Sequence, residues 1–397
     1  MPGLVAPLAA PSPVSTPGTR AAALAARIAE AAPAIEATRR IPPDLAEALH
    51  AARLFHLLLP RAYGGEEASP ASYLLALEAI ARADASVAWN LFVGNSACLV
   101  AAYLAPPEAH MIFDDPRAVI AWGPPNATLA EAVPGGYRVA AGRFDFASGC
   151  RLATWMGVHC RVREADGSLR PNHLGQPAIR TLLFPAAQAT LLDTWNPIGL
   201  RGTASDSYTV TDLFVPEAFS TTREDPSLRR EPGSLYAFTQ QGLYAVGVAA
   251  VALGAAGAML DEFMALAQAK APRGRPRLAD DPLVQQEVAQ SLARLGAARA
   301  WLVALLGEIA AAAGPDTPIG MEDRARLRLG CAHATQSAIA VADSTYRAAG
   351  VDAIFPGSPF ERRFRDIHTL SQQIQSRRSH FAAAGQVLLG NAPPGFL

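Results

Sequence analysis

Trp195-Asn-Pro-Ile-Gly-Leu-Arg-Gly-Thr-Ala-Ser-Asp-Ser-Tyr-Thr-Val-Thr-Asp-Leu-Phe-Val-Pro216 is the stretch on which the reading of this chain turns. Gly199 and Gly202 supply a tight turn, and the hydroxyls of Thr203, Ser205 and Ser207 follow it. From Tyr208 to Val215 apolar and polar residues then alternate, the period of a half-buried strand. Taken alone, the block reads as a Gly-rich hairpin, so its surroundings decide what it belongs to.

Outward from it, the chain separates by period into three regions. Between Val119 and about Phe219 short alternating runs recur: Tyr137-Arg-Val-Ala-Ala, Gly157-Val-His-Cys-Arg-Val and Arg180-Thr-Leu-Leu-Phe. Turns such as Pro134-Gly-Gly136 join them. On either side the spacing is helical, from Arg20 to about Ala118 and from about Leu235 to Leu389. Ile41-Pro-Pro-Asp44 marks a break and a new helix start in the first helical region. The expected domains are a disordered leader at 1–18, helices over 19–118, strands over 119–228, helices over 229–391 and a tail at 392–397. Helices, then strands, then helices is an α+β layout; the text does not alternate βαβ, and no GxGxxG follows a strand.

Composition narrows the function classes. Of 397 residues, 50% are hydrophobic and 17% charged, enough for a large core, and the net charge of -1 gives no electrostatic pull toward nucleic acid or anionic membranes. Cys98, Cys150, Cys160 and Cys331 form no CxxC pair, as in a reduced, cytoplasmic protein, and the eight histidines show no metal-ligand spacing. No metal is expected. Residues 1–18 lack the charged start and apolar run of a signal peptide. Tyr244 to Leu260 is about one membrane span long, but it lacks flanking anchors and runs on into Asp261-Glu262, which favours a helix buried in a bundle.

A second segment, Gly142-Arg-Phe-Asp-Phe-Ala-Ser-Gly-Cys-Arg-Leu-Ala-Thr-Trp155, joins the first in pointing to a family. Together with Pro60-Arg-Ala-Tyr-Gly-Gly65 and the order of the three regions, these segments resemble the acyl-CoA dehydrogenase superfamily over roughly residues 20–390. Within it they are similar to the two-component, flavin-dependent monooxygenase branch that includes dibenzothiophene and hydroxyphenylacetate monooxygenases. That branch's Gly-x-Trp-x-Phe-x-Ser-Gly pattern is met here with Phe144 in place of Trp. The resemblance implies an N-terminal helical domain, a central β-barrel or sandwich and a C-terminal four-helix bundle. It also implies reduced FMN, with FAD as the alternative, delivered by a separate flavin reductase. The flavin 4a-hydroperoxide then passes one oxygen atom to a small organic substrate. The resemblance places the Ser148 hydroxyl near the reactive ring nitrogen.

The segment Arg362-Arg-Phe-Arg-Asp-Ile-His-Thr-Leu-Ser-Gln-Gln-Ile-Gln375 separates two chemistries. A dehydrogenase of this superfamily needs a carboxylate base about nine residues beyond the arginine matched by Arg365; Ile374 stands there. General-base catalysis is worth ~10²–10⁴-fold, so its loss weighs against desaturation. The oxygenase branch commonly carries a histidine in this helix, but its place falls on Gln373. The nearby histidines His368 and His380 are the other candidates, each with a structural role as the competing reading. Gln373 can donate a hydrogen bond but cannot act as a base.

The resemblance further implies flavin contacts from Trp195, Arg201, Gly202 and Thr203, with Asn126, Phe146 and Ser205 beside them. Arg273, in a loop with Arg275 and Arg277, is the candidate for a neighbouring subunit's flavin phosphate in a homotetramer, since the guanidinium fork suits that anion. By the same resemblance Leu91, Phe92, Asn95 and Trp122 are candidate substrate-cavity residues, although residues of these types are more often simple core. Two other functions stay open on the sequence: a flavin dehydrogenase or oxidase with a displaced base, and a non-catalytic member of the fold.

Overall fold

Thr16 opens the first helix. Its hydroxyl accepts the Thr19 amide at 3.2 Å and Pro17 follows in the first turn, where a missing N–H costs nothing, so α1 runs Pro17–Thr38. The computed structural model describes residues 15–173, 175–222, 225–314 and 317–392. Helix α1 thus begins inside the segment expected as a leader, because Thr16 and Pro17 are themselves a helix start; residues 1–14, and the tail from 393, lie outside the described residues.

Four more helices complete the N-terminal region: α2 (Pro43–Ala51), α3 (Pro70–Ala83), α4 (Ala85–Cys98) and α5 (Pro106–Phe113). The Ser69 hydroxyl caps α3 and the Asp84 carboxylate caps α4, accepting the Val87 amide at 3.0 Å. Every residue of α4 is buried, as a helix apolar around its whole circumference must be. It is wedged between α3, a later helix and the turn at 201–203.

The central region is one sheet. Its strands are β1 (Ile120–Trp122), β2 (Leu129–Val133), β3 (Gly136–Ala147), β4 (Trp155–Arg163), β5 (Ile179–Pro185), β6 (Thr190–Leu192), β7 (Asp206–Pro216) and β8 (Ser220–Thr221). The order is β6-β7-β3-β2-β4-β5-β8, with β1 added parallel to β4. The β2–β3 hairpin turns at Gly135, whose φ of +81° a side chain would oppose. Inward residues of the long strands, among them Val139, Phe144, Val158, Leu182, Tyr208 and Val210, form a core of their own.

Helices return after the sheet: α6 (Gln240–Ala269), α7 (Pro282–Ala312), α8 (Met321–Ala349), α9 (Pro359–Ser371) and α10 (Ser379–Leu388). The expected bundle is built on the long α6, α7 and α8, with α9 and α10 laid against α8. Among the described residues, three stretches are long and apolar enough to cross a membrane: Ala85–Ala102, Gln240–Ala269 and Pro282–Ala312. The apolar windows of the first two are 100% and 89% buried inside the protein, so Tyr244 to Leu260 is interior helix, as its flanks suggested.

Candidate active site

The site grows out of an irregularity in β3. Its pairing with β7 runs from Gly136↔Pro216 to Phe144↔Tyr208 and resumes at Ala147↔Asp206, so Asp145 and Phe146 together face Ser207 alone. This is a β-bulge, which bends a strand and re-aims a side chain. Phe146 takes a φ of +63° and is turned outward, 63% exposed. Its ring meets the Trp195 ring edge-on, with centroids 6.3 Å apart. The chain then turns through Ser148 and Gly149, and the Gly149 amide donates to the Thr203 carbonyl at 2.9 Å.

The second wall is the Gly199–Ser205 turn. Leu200 and Ala204 both have left-handed φ, +51° and +44°. With Phe146 this puts three strained non-glycine residues around one spot, a clustering typical of functional sites. The two glycines that drew attention in the sequence are there because nothing else fits. A Cβ on Gly199 would lie 2.2 Å from the Arg365 carbonyl, and one on Gly202 would lie 2.1 Å from the Ile35 side chain. The turn is therefore pressed against α1, α4 and α9 at once. Asn90 of α4 donates to the Gly202 carbonyl at 3.0 Å.

Two buried carboxylates hold this turn from opposite sides. Asp206, 1% exposed, accepts the amides of Thr194 (3.0 Å) and Trp195 (2.8 Å) and the Arg151 Nε (2.7 Å), fixing the approach of Trp195. Asp366 of α9 accepts the Leu200 amide at 2.6 Å. Burial and the neighbouring Asp84 carboxylate push Asp366 up to about 7.

Between these walls lies a row of hydroxyls. The Trp89 indole N–H donates to Ser148 Oγ at 3.1 Å. Ser148 Oγ is 2.6 Å from Ser205 Oγ, which is 2.7 Å from Thr203 Oγ1. Thr203 donates to the Leu200 carbonyl at 2.9 Å, and the Trp195 indole N–H donates to that same carbonyl at 2.9 Å. The row runs from one tryptophan to the other, and Ser148, Thr203 and Ser205 are all buried.

The residues expected at the site thus divide. Phe146, Ser148, Trp195, Gly202, Thr203 and Ser205 come together. Arg201 shares their turn, but its guanidinium faces away, donating to the Glu36 carbonyl (3.2 Å), Asn196 (2.9 Å) and the Pro197 carbonyl (3.1 Å). Exposed Asn126 ties its loop to β3 through the Arg143 carbonyl at 2.7 Å. Phe92 is in the core, edge-on to Trp89 at 4.7 Å and to Tyr244 at 4.8 Å, so one ring separates it from Ser148. Asn95 is fully engaged with backbone, accepting the Leu58 amide (3.1 Å) and donating to the carbonyls of Leu54 (2.7 Å) and Leu91 (2.8 Å). Trp122 packs edge-on to His159 at 4.9 Å.

The C-terminal candidates stand apart from this group. Asp366 faces the Leu200 turn, and His368, two residues or about 200° further round α9, faces α8 instead. Its Nε2 lies 2.9 Å from Asp343 Oδ1, and its ring packs on Phe364. Gln373 caps a short turn after α9 by accepting the Gln375 amide at 2.5 Å. The buried glutamine here is Gln375, which takes a hydrogen bond from the equally buried Arg328 and donates to Gln241 at 2.7 Å. The His380 ring bonds the Ile374 carbonyl at 2.8 Å. Arg273 projects from an exposed loop.

Comparison with known proteins gives this arrangement its context. Residues 19–107 match the family described as acyl-CoA dehydrogenase, N-terminal domain, and residues 246–377 match acyl-CoA dehydrogenase, C-terminal domain. The chain is 32% identical over 366 residues to indole-3-acetate monooxygenase from Pseudomonas putida, covering 90% of each. It belongs to the acyl-CoA dehydrogenase superfamily, in its flavin-dependent monooxygenase branch. A second relative is the oxygenase component of an FADH2-dependent resorcinol hydroxylase from a Rhizobium species, 27% identical with 97% of this chain and 98% of that one covered. Among solved structures the fold matches XiaF from a Streptomyces species, in complex with FADH2 and glycerol, with a TM-score of 0.87 at 23% identity over 96% of each chain. The enzyme is thus a flavin-dependent monooxygenase, and the base-free sequence around Ile374 belongs to oxygenase rather than dehydrogenase chemistry.

Proposed function

We propose that this monooxygenase is the oxygenase component of a two-component system. It takes reduced FMN, or alternatively FAD, from a separate reductase and oxygenates a small aromatic substrate. The observation that carries the reading is the outward Phe146 beside Trp195, one turn from Ser148, on a backbone strained at three points. An exposed aromatic edge next to a buried hydroxyl fits a flat ring with one polar nitrogen. When bound, the reduced flavin supplies the electrons that activate dioxygen.

The chain's own residues would then act as follows. Phe146 and Trp195 flank the ring, and Ser148 Oγ meets its reactive nitrogen. Gly202, Thr203 and Ser205 hold Ser148, while Arg201 and Asn126 fix the loops at the ring's polar edge. Phe92 and Trp89 wall the substrate side with apolar surface that keeps water out. Asn95 supports that wall through the 54–58 loop, and Trp122 extends it. His368 reaches the substrate only if α9 itself turns on binding, and Gln373 only if the chain after α9 is rearranged. The named relatives act on indole-3-acetate and resorcinol, which supports aromatic substrates here.

A homotetramer, in a cytoplasmic enzyme, completes the proposal. On helix α7 the exposed Leu283 and Trp301 lie about five turns apart on the same side, apolar contacts suited to another copy, and Arg273 would reach a neighbour's flavin phosphate from the loop before it. The reading is tested by titrating oxidised and anaerobically reduced FMN and FAD. Oxygen uptake coupled to product is then measured with indole-3-acetate, resorcinol and their non-aromatic analogues. Binding of reduced flavin and coupled turnover of an aromatic support it, whereas no binding of either flavin in either state overturns it.

A further inference from the structure

The hydroxyl row at Ser148 has a direction that its two ends impose. An indole N–H can only donate, so Trp89 must give its hydrogen to Ser148 Oγ at 3.1 Å. A carbonyl can only accept, so the Thr203 hydroxyl must give its hydrogen to Leu200 O at 2.9 Å. Each hydroxyl owns one hydrogen. Thr203 has spent its own, so at the 2.7 Å contact Ser205 is the donor to Thr203. Ser205 has then spent its own, so at the 2.6 Å contact Ser148 is the donor to Ser205. The order Trp89 to Ser148 to Ser205 to Thr203 to Leu200 is the one arrangement in which all four contacts are bonded.

One consequence falls on Ser148. Its hydrogen is committed inward, one lone pair is used by Trp89, and what it has left to offer a ligand is a single lone pair. It is therefore built to accept a hydrogen bond. The reactive ring nitrogen differs between the two flavin states: reduced flavin carries a hydrogen there, whereas oxidised flavin carries only a lone pair. Reduced flavin completes the row without disturbing it. Oxidised flavin demands the Ser148 hydrogen, and then one of the contacts at 2.6, 2.7 or 2.9 Å is left as two facing lone pairs in a buried place.

We infer that Thr203 and Ser205 are positioning residues that polarise Ser148 and so make the site select reduced over oxidised flavin. This rests on the proposal that Ser148 meets the reactive nitrogen. The preference expected from one neutral buried hydrogen bond is about three- to tenfold in affinity. The device is local: Leu200 O keeps the Trp195 indole N–H at 2.9 Å whichever way the row points. Reversal therefore costs the contact within the row and leaves the strained turn in place.

The test measures dissociation constants of oxidised and anaerobically reduced FMN, and hence the potential of the bound flavin, in the wild type and three variants. In Thr203→Val the row loses its carbonyl anchor, so Ser205 can donate to Ser148 and Ser148 outward. The ratio of oxidised to reduced dissociation constants should fall three- to tenfold. A tenfold fall lowers the bound potential by about 30 mV for two electrons. Ser205→Ala frees the Ser148 hydrogen directly and should do the same, while Thr203→Ser keeps the row and should keep the wild-type ratio. An unchanged ratio in both Thr203→Val and Ser205→Ala, in folded protein, overturns the inference. Equal wild-type affinity for the two flavin states also overturns it while leaving flavin binding intact. Loss of all flavin binding in the wild type would instead sink the functional proposal beneath it.

Discussion

The turns around Ser148 and the helix around His368 each supply residues that sequence reasoning proposed for chemistry, and they are built on different principles. Around Ser148 the backbone is strained at Phe146, Leu200 and Ala204, and glycines stand where a Cβ would collide. Each hydroxyl there is tied into a directed row. Around His368 the helix is regular and capped by Ser358, and the candidate side chains there are spent on neighbours: His368 on Asp343 and, just after the helix, Gln375 on Gln241 and Arg328. Strain persists only where the surroundings over-determine it, so the first region carries the cost of a fixed geometry and the second does the ordinary work of joining helices. The two meet where Asp366 accepts the Leu200 amide and the adjacent Arg365 donates to the Ile198 carbonyl.

Substitutions can break that contrast. Removing the Ser148 hydroxyl should do most: Ser148→Ala is expected to lower the coupled oxygenation rate about a hundredfold, the scale for deleting one well-placed polar group at a reacting centre. His368→Ala should change the same rate by less than a few-fold while lowering the thermal midpoint. Equal losses in the two variants would erase the distinction between the regions. Next in size is Gly202→Val. Overpacking against Ile35 should destabilise the protein by about 1–3 kcal/mol in a denaturant titration, and a neutral outcome would show that the turn is not tightly wedged.

The joint between the regions predicts a pH dependence. Asp366 is held near 7 in the folded protein against 3.8 ordinarily, so the fold keeps its proton where the unfolded chain has released it. Its contribution to stability is fullest below about 4 and is lost as pH rises to about 7. Asp366→Asn should flatten that part of the unfolding midpoint against pH, and an undiminished slope in the variant would place its source elsewhere. Smallest of all, Gln373→Ala removes the cap of a short turn and should cost about 1 kcal/mol or less. A large loss of activity without loss of stability would move Gln373 into the chemistry.

How far the site could be read from the text follows the same line. Glycines and hydroxyls at 199–207 and Ser148-Gly149 are local signals of turn chemistry, and the fold brings those two turns together. The strand after them was legible by alternation, though β7 starts at Asp206, two residues before the alternating run. Trp89 was not legible, because α4 is buried on every side and its sequence shows no face. Asp206 and Asp366 stand inside the quoted segments. Their roles, however, depend on amides of Trp195 and Leu200 that only tertiary packing brings within reach. The face of His368 followed from its spacing to Asp366, but only once Asp366 was known to look toward the turn.

We expect the Ser148 turn, and not the His368 helix, to govern the bound reduced flavin's reaction with oxygen. Rapid mixing of protein and anaerobically reduced FMN with oxygenated buffer, followed by absorbance, tests it most directly. A species distinct from both reduced and oxidised flavin should persist in the wild type and in His368→Ala and collapse far faster in Ser148→Ala. The same lifetime in Ser148→Ala as in the wild type, or a collapse in His368→Ala alone, would contradict it.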